Sequence, residues 1–468
     1  MIPFFPKQIS YRAIVAYLVA LIAISLFYSS YSMSFGYILA GVICVLCFFL
    51  LTSFWSRSWR VLSEKRYIEI LFLIAVSLRL VWVVFSYFYY SKVTGLPFEH
   101  GAADSLGYHE EAVWLANSPW SVTFWWYFGE GAHGLSDAGY PLYLTVLYKI
   151  FGQVIIVPRI IKAFLSAYMC ILLYRVSSRM FNEETGRMVG IMCALMPNLI
   201  IYCGYHLKET EMLFLEVAFL ERMDYLLRAK KWNFVHIVIP FIFAGTLFFF
   251  RTVLGAAAVF SFVTAVFLSN TPSMKKGWKR AAIIGWSLIA LIFVGGGTVI
   301  TEMESLWEQR DEHQSEKRVE QGLRGNQWAQ YATGTVMAPM VFVLPFSTMI
   351  DVDQQYGQQE KHGGNFIRNF MGFFAVLAIY EAFRRKKIRD FSLLGSFVIA
   401  YLGVVSLSGF ANAERFLLPG LPGLIPMWAY GVSCLREKTY RFLDPWCVLV
   451  VVMEMAWAFF KLGSRGLF

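Results

Sequence analysis

The sequence is poor in charged residues, which make up only 15% of its 468 positions, whereas soluble domains usually carry about 25%. Hydrophobic residues account for 58% of the chain, and the mean hydropathy is +0.55. This composition excludes an ordinary soluble protein and predicts a polytopic membrane protein. The net charge of +10 is explained by short basic loops beside the membrane, so no nucleic-acid partner is expected.

The sequence also lacks the common motifs of soluble enzymes. It contains no phosphate-binding loop of nucleotide hydrolases, no dinucleotide fingerprint and no metalloprotease motif. Its seven cysteines all lie in or beside apolar runs, so neither disulfides nor a zinc site is expected. No small-residue cleavage motif follows the apolar N-terminus, which predicts a retained first helix rather than a signal peptide. No particular cofactor is implied, and a divalent cation is left open.

Apolar runs predict the membrane spans. Because a helix needs about 20 apolar residues to cross the hydrocarbon, we expect an all-α, polytopic helical bundle of about thirteen transmembrane helices. Two apolar segments, 140–152 and 336–350, are predicted to lie along the membrane surface instead. The predicted spans lie near 13–30, 34–54, 68–90, 154–175, 188–206, 210–227, 233–250, 252–269, 281–300, 366–383, 391–410, 415–434 and 443–462.

Basic loops indicate the orientation. Lys and Arg collect at 56–66, 175–187, 228–233, 273–280, 384–390 and 436–441, which the positive-inside rule assigns to the cytoplasm. The polar segments 99–144, 206–211, 301–365 and 412–415 then fall on the outer face. The chain divides into N-terminal spans (1–90), an outer loop with juxtamembrane helices (91–152), a central bundle (153–300), a second outer region (301–365) and C-terminal helices (366–468).

The first outer loop carries candidate acids. Asp104, Tyr108 and Glu111 are spaced i, i+4, i+7 and would share one helix face, although Asp104 could instead cap that helix. Asp137 precedes the sequence "AGYPLYL", where an Asp is also a common turn former. His109 is either part of the site or a solvated loop residue. Carboxylates of this kind can act as a general base or bind sugar hydroxyls.

Candidate cations are predicted at the same face. Lys208 and Glu209 lie at the mouth of a helix pair, where a mutual ion pair is the alternative. Arg251 interrupts "GTLFFFRTVLG" and needs an anion, either a protein carboxylate or a phosphate. Arg415 begins a late helix, and snorkelling is the alternative there. Because neither ATP nor a nucleotide sugar is available outside, an activated substrate there must arrive attached to a lipid.

These segments resemble bacterial glycosyltransferases of the GT-C superfamily. The likeness rests on Asp104 with Tyr108, on "GYPLYLTVLYKIFG" (139–152) after an acid, on "LYRVSSRMF" (173–181) and on "RFLLPGLPGL" (415–424). It is most similar to glycosyltransferase family 39, related to protein O-mannosyltransferases and the lipid A aminoarabinose transferase, and it covers roughly 100–270 and 410–430. The chain departs from that pattern at Gly107, where the aminoarabinose transferases have Arg, and it has no Lys directly after Asp137.

The resemblance implies a GT-C bundle in a bacterial inner membrane with its site facing the periplasm. It also implies inverting transfer from a polyprenyl-phosphate sugar to a hydroxyl of a lipid-linked glycan, a surface polysaccharide or a protein. Asp104 would accept the proton, and Asp137 stands at the second loop acid. Alternatives are a transporter or flippase of a lipid-linked glycan and an O-antigen ligase or polymerase. Residues that would bind the donor or its phosphate are Tyr108, His109, Lys208, Glu209, Arg251 and Arg415.

Overall fold

The structure is a computed structural model that describes residues 2–128, 135–229, 234–268, 340–352, 355–407, 414–463 and 467. At 126–128, 135–137 and 407 it describes the backbone alone. The predicted span at 281–300 and most of the second outer region lie outside the described residues.

Throughout the described ranges the regular secondary structure is helical, which confirms the all-α prediction. We number the α-helices in chain order. They are α1 Lys7–Phe27, α2 Phe35–Leu46, α3 Thr52–Ser58, α4 Glu64–Val93, α5 Ala103–Asn117, α6 Trp120–Phe128, α7 Leu135–Phe151, α8 Ile156–Met180, α9 Glu183–Leu195, α10 Pro197–Ile201, α11 Glu209–Arg228, α12 Phe234–Phe250, α13 Thr252–Leu268, α14 Tyr356–Glu360, α15 His362–Arg384, α16 Ser392–Leu407, α17 Glu414–Leu417, α18 Leu421–Ser433, α19 Glu437–Tyr440 and α20 Leu443–Gly463.

The described part of the chain contains seven helices long and apolar enough to cross a membrane. They correspond to the predicted spans near 13–30, 34–54, 68–90, 154–175, 366–383, 391–410 and 443–462. An eighth is formed if α9 and α10, which are bent by 53° at Pro197, count as one span. The other predicted spans with described residues are also helices, but α12 and α13 have 17 residues each and α18 has 13.

Local sequence explains where several helices begin and how closely they pack. The Ser63 hydroxyl accepts the Arg66 backbone N–H at 3.4 Å, and the Asn182 side chain accepts that of Thr185 at 2.8 Å. Both are N-caps that satisfy a free backbone donor. Gly431 lets α18 lie directly on α15, because a Cβ at this position would overlap the backbone carbonyl of Phe374.

The packing of α8 defines two ends of the bundle. This helix contacts α4, α9 and α11 along its length. At its C-terminal end, Arg179 donates to Asp224 at 2.8 Å, so the C-terminal ends of α8 and α11, where two of the basic segments lie, are adjacent. At the other end, Arg159 donates to the carbonyl of Pro97, so the start of α8 lies beside the first outer loop. The predicted outer and inner loops therefore gather at opposite ends of the same helix.

The two short apolar segments differ in placement. Residues 140–152 lie mostly in α7, which packs between α5 and α12. Of the predicted surface segment 336–350, residues 340–350 are described, and they form a largely buried stretch without α-helix inside the protein. Its polar backbone is satisfied from neighbouring helices, since Asn369 donates to the Pro345 carbonyl at 2.9 Å and Glu454 accepts the Ser347 N–H at 2.9 Å. Irregular backbone is tolerated in membrane proteins where the protein covers it and satisfies its polar groups.

Candidate functional site

Three predicted residues meet at the outer-loop end of the bundle. Arg415 donates through Nη1 to the Asp104 carboxylate and through Nε to the Glu209 carboxylate. The three come from α17, from the first turn of α5 and from the first residue of α11. The Asp104 side chain is 58% exposed, whereas that of Glu209 is fully buried. The arrangement joins one accessible acid, one cation and one buried acid into a single cluster.

The carboxylates of Asp104 and Glu209 stabilise the positive charge of Arg415. Burial lowers the pKa of Arg415, but the attraction of Glu209 and Asp104 outweighs this effect and raises that pKa above its ordinary value. Arg415 is therefore a permanent cation. Glu209 also lies within electrostatic reach of Arg251 and Lys208. The three cations predicted from sequence thus all stabilise the charge of one buried carboxylate, and Arg415 contacts it directly.

Arg251 stands at the break between α12 and α13 and is buried. Its Nη1 donates to the Tyr401 hydroxyl at 3.1 Å, and its guanidinium carbon lies 4.8 Å from the ring centre of Phe416. Because Phe416 follows Arg415 directly, the two arginines lie on adjoining parts of the site. A protein carboxylate was one of the two anions expected for Arg251, but among the described residues its hydrogen bond goes to Tyr401 and the nearby Glu209 is bonded to Arg415.

Lys208 is buried and donates from Nζ to the backbone carbonyl of Phe250 at 2.7 Å. This bond fixes the loop before α11 against the end of α12. Gly139 packs against the same end of α12, because a Cβ at this position would lie 2.8 Å from the Phe249 carbonyl oxygen. The backbone of Asp137 is in the first turn of α7, two residues from this contact, and its side chain lies outside the described residues.

The predicted helix carrying Asp104 is confirmed as α5, and Asp104 is not its N-cap, because that position is Ala102. Tyr108 lies one turn after Asp104 and within electrostatic reach of Arg415, and its ring centre is 5.2 Å from that of Tyr140. Tyr108 therefore belongs to the cluster.

His109 faces a different set of residues. Its Nδ1 lies 2.8 Å from the Tyr148 hydroxyl, which in turn lies 3.1 Å from Nε2 of the buried His206. Burial lowers the pKa of His109 below its ordinary value, so this imidazole is neutral near pH 7. The structure connects it to α7 and the loop before α11 and not to Arg415. His109 therefore lies outside the cluster around Arg415.

Sequence reasoning missed a second buried ion pair next to Arg415. Glu414 accepts from Lys361 at 2.8 Å, from the Tyr202 hydroxyl at 2.6 Å and from Asn198 at 2.8 Å. The only signal was the position of Glu414 beside Arg415 in "NAER". This network ties α17 to α10 and to the start of α15, and so fixes the backbone that carries Arg415.

A third polar group lies beside α5. Lys162 is fully buried, donates to the Tyr205 carbonyl at 2.9 Å and lies 3.6 Å from the Glu211 carboxylate. Arg159, one turn earlier, lies under the outer loop at Phe98. The signal for both residues was the presence of two positive charges, three residues apart, in the apolar run "VPRIIKAFL". This run was assigned to a membrane span, so the two charges were not considered as site residues.

A divalent cation is held by several carboxylate, imidazole or thiolate ligands at once. The described residues contain no group of three or more His, Cys, Asp or Glu side chains placed to hold a metal ion. Asp104 and Glu209 instead share the Arg415 guanidinium as their partner.

Comparisons with known proteins give no family assignment. No protein-family model matches the chain, and no curated protein matches it. Among solved structures it is similar to the Archaeoglobus fulgidus oligosaccharyltransferase in complex with Zn and sulfate, at 13% identity and a TM-score of 0.44, covering 86% of this chain and 52% of that one. It is also similar to the same enzyme tethered to an acceptor peptide containing the NVT sequon, at 14% identity and a TM-score of 0.45, covering 87% and 56% respectively. The chain thus spans about half the length of these structures.

Proposed function

We propose that the protein is a membrane glycosyltransferase that moves a sugar from a polyprenyl-phosphate donor to an acceptor hydroxyl. The observation that carries this proposal is the bridge of Arg415 between Asp104 and Glu209. It combines an accessible carboxylate, which can accept a proton, with a cation that can bind phosphate, at the end of the bundle opposite the basic loops. The resemblance of the surrounding segments to GT-C glycosyltransferases supports the same activity.

In the proposed reaction the acceptor oxygen attacks the anomeric carbon, and the bond from that carbon to the phosphate oxygen breaks. Polyprenyl phosphate leaves with the bonding electron pair, the configuration inverts, and Asp104 takes the acceptor proton. Asp104 suits this role because its side chain is 58% exposed, so an acceptor can reach it. General-base catalysis of this kind contributes roughly 10²–10⁴ in rate.

The cations would act on the leaving group. A leaving phosphate gains negative charge, and fixed cations in a partly dehydrated site stabilise that charge more than water does. Arg415 is the nearest cation to Asp104, and Arg251 and Lys208 add to the positive field around Glu209. Tyr108 lies beside them, where it can contact the sugar. The side chain of Asp137 is proposed as the second loop acid on the resemblance alone.

One observation favours a second candidate, a transporter of a lipid-linked glycan. The helix pair α9 and α10 is broken by 53°, and Asn198 just after the break contacts the buried Lys361–Glu414 pair. Broken helices with ionisable partners are typical of transporter binding sites. In this protein Glu414 of the ion pair also accepts hydrogen bonds from Asn198 and Tyr202, and such a fully bonded carboxylate suits a structural role.

The test is a transfer assay with the purified protein in proteoliposomes. Polyprenyl-phosphate sugars with different labelled sugars are supplied together with a mixture of glycan and peptide acceptors. We expect loss of one donor and release of polyprenyl phosphate in a one-to-one ratio with glycosylated acceptor. Movement of labelled lipid across the bilayer without cleavage of the sugar–phosphate bond would instead identify a transporter.

A further inference from the structure

A cavity of about 780 Å³ lies at the basic end of the bundle, away from the proposed active site. It is formed where the C-terminal ends of α11 and α13 meet the turn between α15 and α16. Basic and apolar side chains form most of its lining. The basic ones are Arg228, Lys386 and Arg389, and the apolar ones include Leu268, Phe383 and Leu393.

The basic side of the cavity has an excess of positive charge. Its two acids are Asp224 and Asp390. Asp224 already accepts from Arg228 at 2.7 Å and from Arg179 at 2.8 Å. Arg179 is shared with Glu221, which also pairs with Arg222 at 3.1 Å, so three guanidinium groups offset these two acids. Lys386 and Arg389 then face Asp390 as the remaining acid. An anionic group is the ligand that this side of the cavity favours.

The apolar side determines what carries the anion. Phe383 is 65% exposed and Leu268 is 41% exposed. On a bundle that spans a membrane, such side chains contact lipid chains. The cavity also lies at the end of two long apolar helices, since one span ends at Arg384 and the next begins at Ile388. This is the level of lipid headgroups, where basic clusters attract anionic lipids.

We propose that this cavity binds an anionic glycerophospholipid. Lys386 and Arg389 hold the phosphate of its headgroup, and one acyl chain lies along Phe383 and Leu268. A soluble anion would use the basic side alone and would gain nothing from the exposed apolar side chains. The combination of both sides favours the lipid.

The turn that presents Lys386 is fixed by its backbone. Lys386 has φ 56°, and the backbone N–H of Lys387 donates to the Ala382 carbonyl at 2.9 Å. Together these form the closing turn of α15 in a left-handed conformation. Asn adopts this conformation readily, so Lys386→Asn removes the charge without adding backbone strain.

The test measures lipid retention by native mass spectrometry of the full-length protein in mixed detergent and lipid. The variants are Lys386→Asn with Arg389→Gln, and a matched control, Lys387→Gln with Lys438→Gln. The control also removes two positive charges, from exposed positions that do not line the cavity. Each cation near the headgroups is worth about 1 kcal/mol, or about fivefold. We expect the preference for phosphatidylglycerol over phosphatidylcholine to fall about 25-fold in the first variant and to persist in the control.

Three results would overturn the proposal. The first is equal retention of both lipids by the unmodified protein, and the second is an equal loss in the control, which would indicate general surface charge. The third is displacement of the lipid by inorganic phosphate together with an unchanged preference in Phe383→Ala, which would indicate a soluble-anion site. Should the double variant fail to fold, Arg389→Gln alone must lower the preference about fivefold, and Arg389→Lys must retain it.

Discussion

At the scale of single residues, the proposed site depends on how Arg415 divides its hydrogen bonds. Glu209 is fully buried, so losing its partner would leave an uncompensated charge inside the bundle, which is costly. Asp104 is largely exposed and can exchange Arg415 for water or substrate at little cost. We therefore infer that an arriving phosphate displaces Asp104 from Arg415 and leaves the bond to Glu209 intact. The same step frees Asp104 to act as the base.

Replacing Arg251 tests whether its charge contributes to donor binding and turnover. Arg251→Gln should lower donor affinity and turnover by about 10–100-fold, because a hydrogen bond to a charged group contributes roughly 1.5–3 kcal/mol. Stability should change little, since Tyr401 retains its bond to the Phe416 carbonyl at 2.9 Å. Arg251→Lys should recover only part of the activity, because the guanidinium fork is lost.

Steady-state kinetics with varied donor concentration, together with thermal unfolding, check this prediction. Arg384→Gln, an exposed position at the basic end of the bundle, is the control and should behave like the unmodified protein. A stably folded Arg251→Gln protein with unchanged KM and kcat would remove Arg251 from the site.

At the scale of helices, the contact between α15 and α18 provides a stability prediction. Gly431→Ala should destabilise the protein by about 1–3 kcal/mol, the usual cost of overpacking, because the added methyl group meets the Phe374 carbonyl. Gly395→Ala in α16 is the matched control. It has open space around its Cβ position and should be neutral or gain up to about 1 kcal/mol of helix propensity.

Thermal unfolding in detergent measures both variants. Equal midpoints for Gly431→Ala and Gly395→Ala would mean that α15 and α18 are not packed as closely as described.

Some parts of the site were predictable from these elements and others were not. The spacing of Asp104 and Tyr108 on one helix face was readable, because helical periodicity is local. The segregation of Glu209, Arg251 and Arg415 from the basic loops followed from charge distribution along the chain. The partners of His109 were not predictable, because Tyr148 and His206 reach it from elements far away in sequence. The burial of 340–350 was also not predictable, because the side chains that satisfy its backbone come from α15 and α20.

At the scale of the whole molecule, orientation in the membrane can be measured with single cysteines. Glu110→Cys and Lys387→Cys, both at exposed positions, would be made in a background without the seven native cysteines. A membrane-impermeant maleimide should label position 110 in intact cells and should label position 387 only after permeabilisation. The cysteine-free parent is the control. Labelling at position 387 alone in intact cells would show the opposite orientation, with Asp104 facing the cytoplasm.

Composition alone predicts where the apolar helices lie, but it does not give the number of membrane crossings. Apolar runs located every described span, because exclusion of charge from the hydrocarbon is strong. They did not distinguish a crossing helix from a shorter one in the bundle interior, such as α18. They also did not show the bend between α9 and α10, which lies where Pro197 interrupts the helical hydrogen bonds.

Turnover of Asp104→Asn in the transfer assay decides whether Asp104 is the base of a glycosyl transfer at the Arg415 cluster. Asp444→Asn is the matched control, because Asp444 is likewise an exposed acid, 64% accessible, bonded to an arginine, Arg12, at 2.5 Å. We expect Asp104→Asn to lower turnover by a factor of roughly 10²–10⁴ with unchanged thermal stability, while Asp444→Asn retains full activity. Near-normal turnover of folded Asp104→Asn would contradict it.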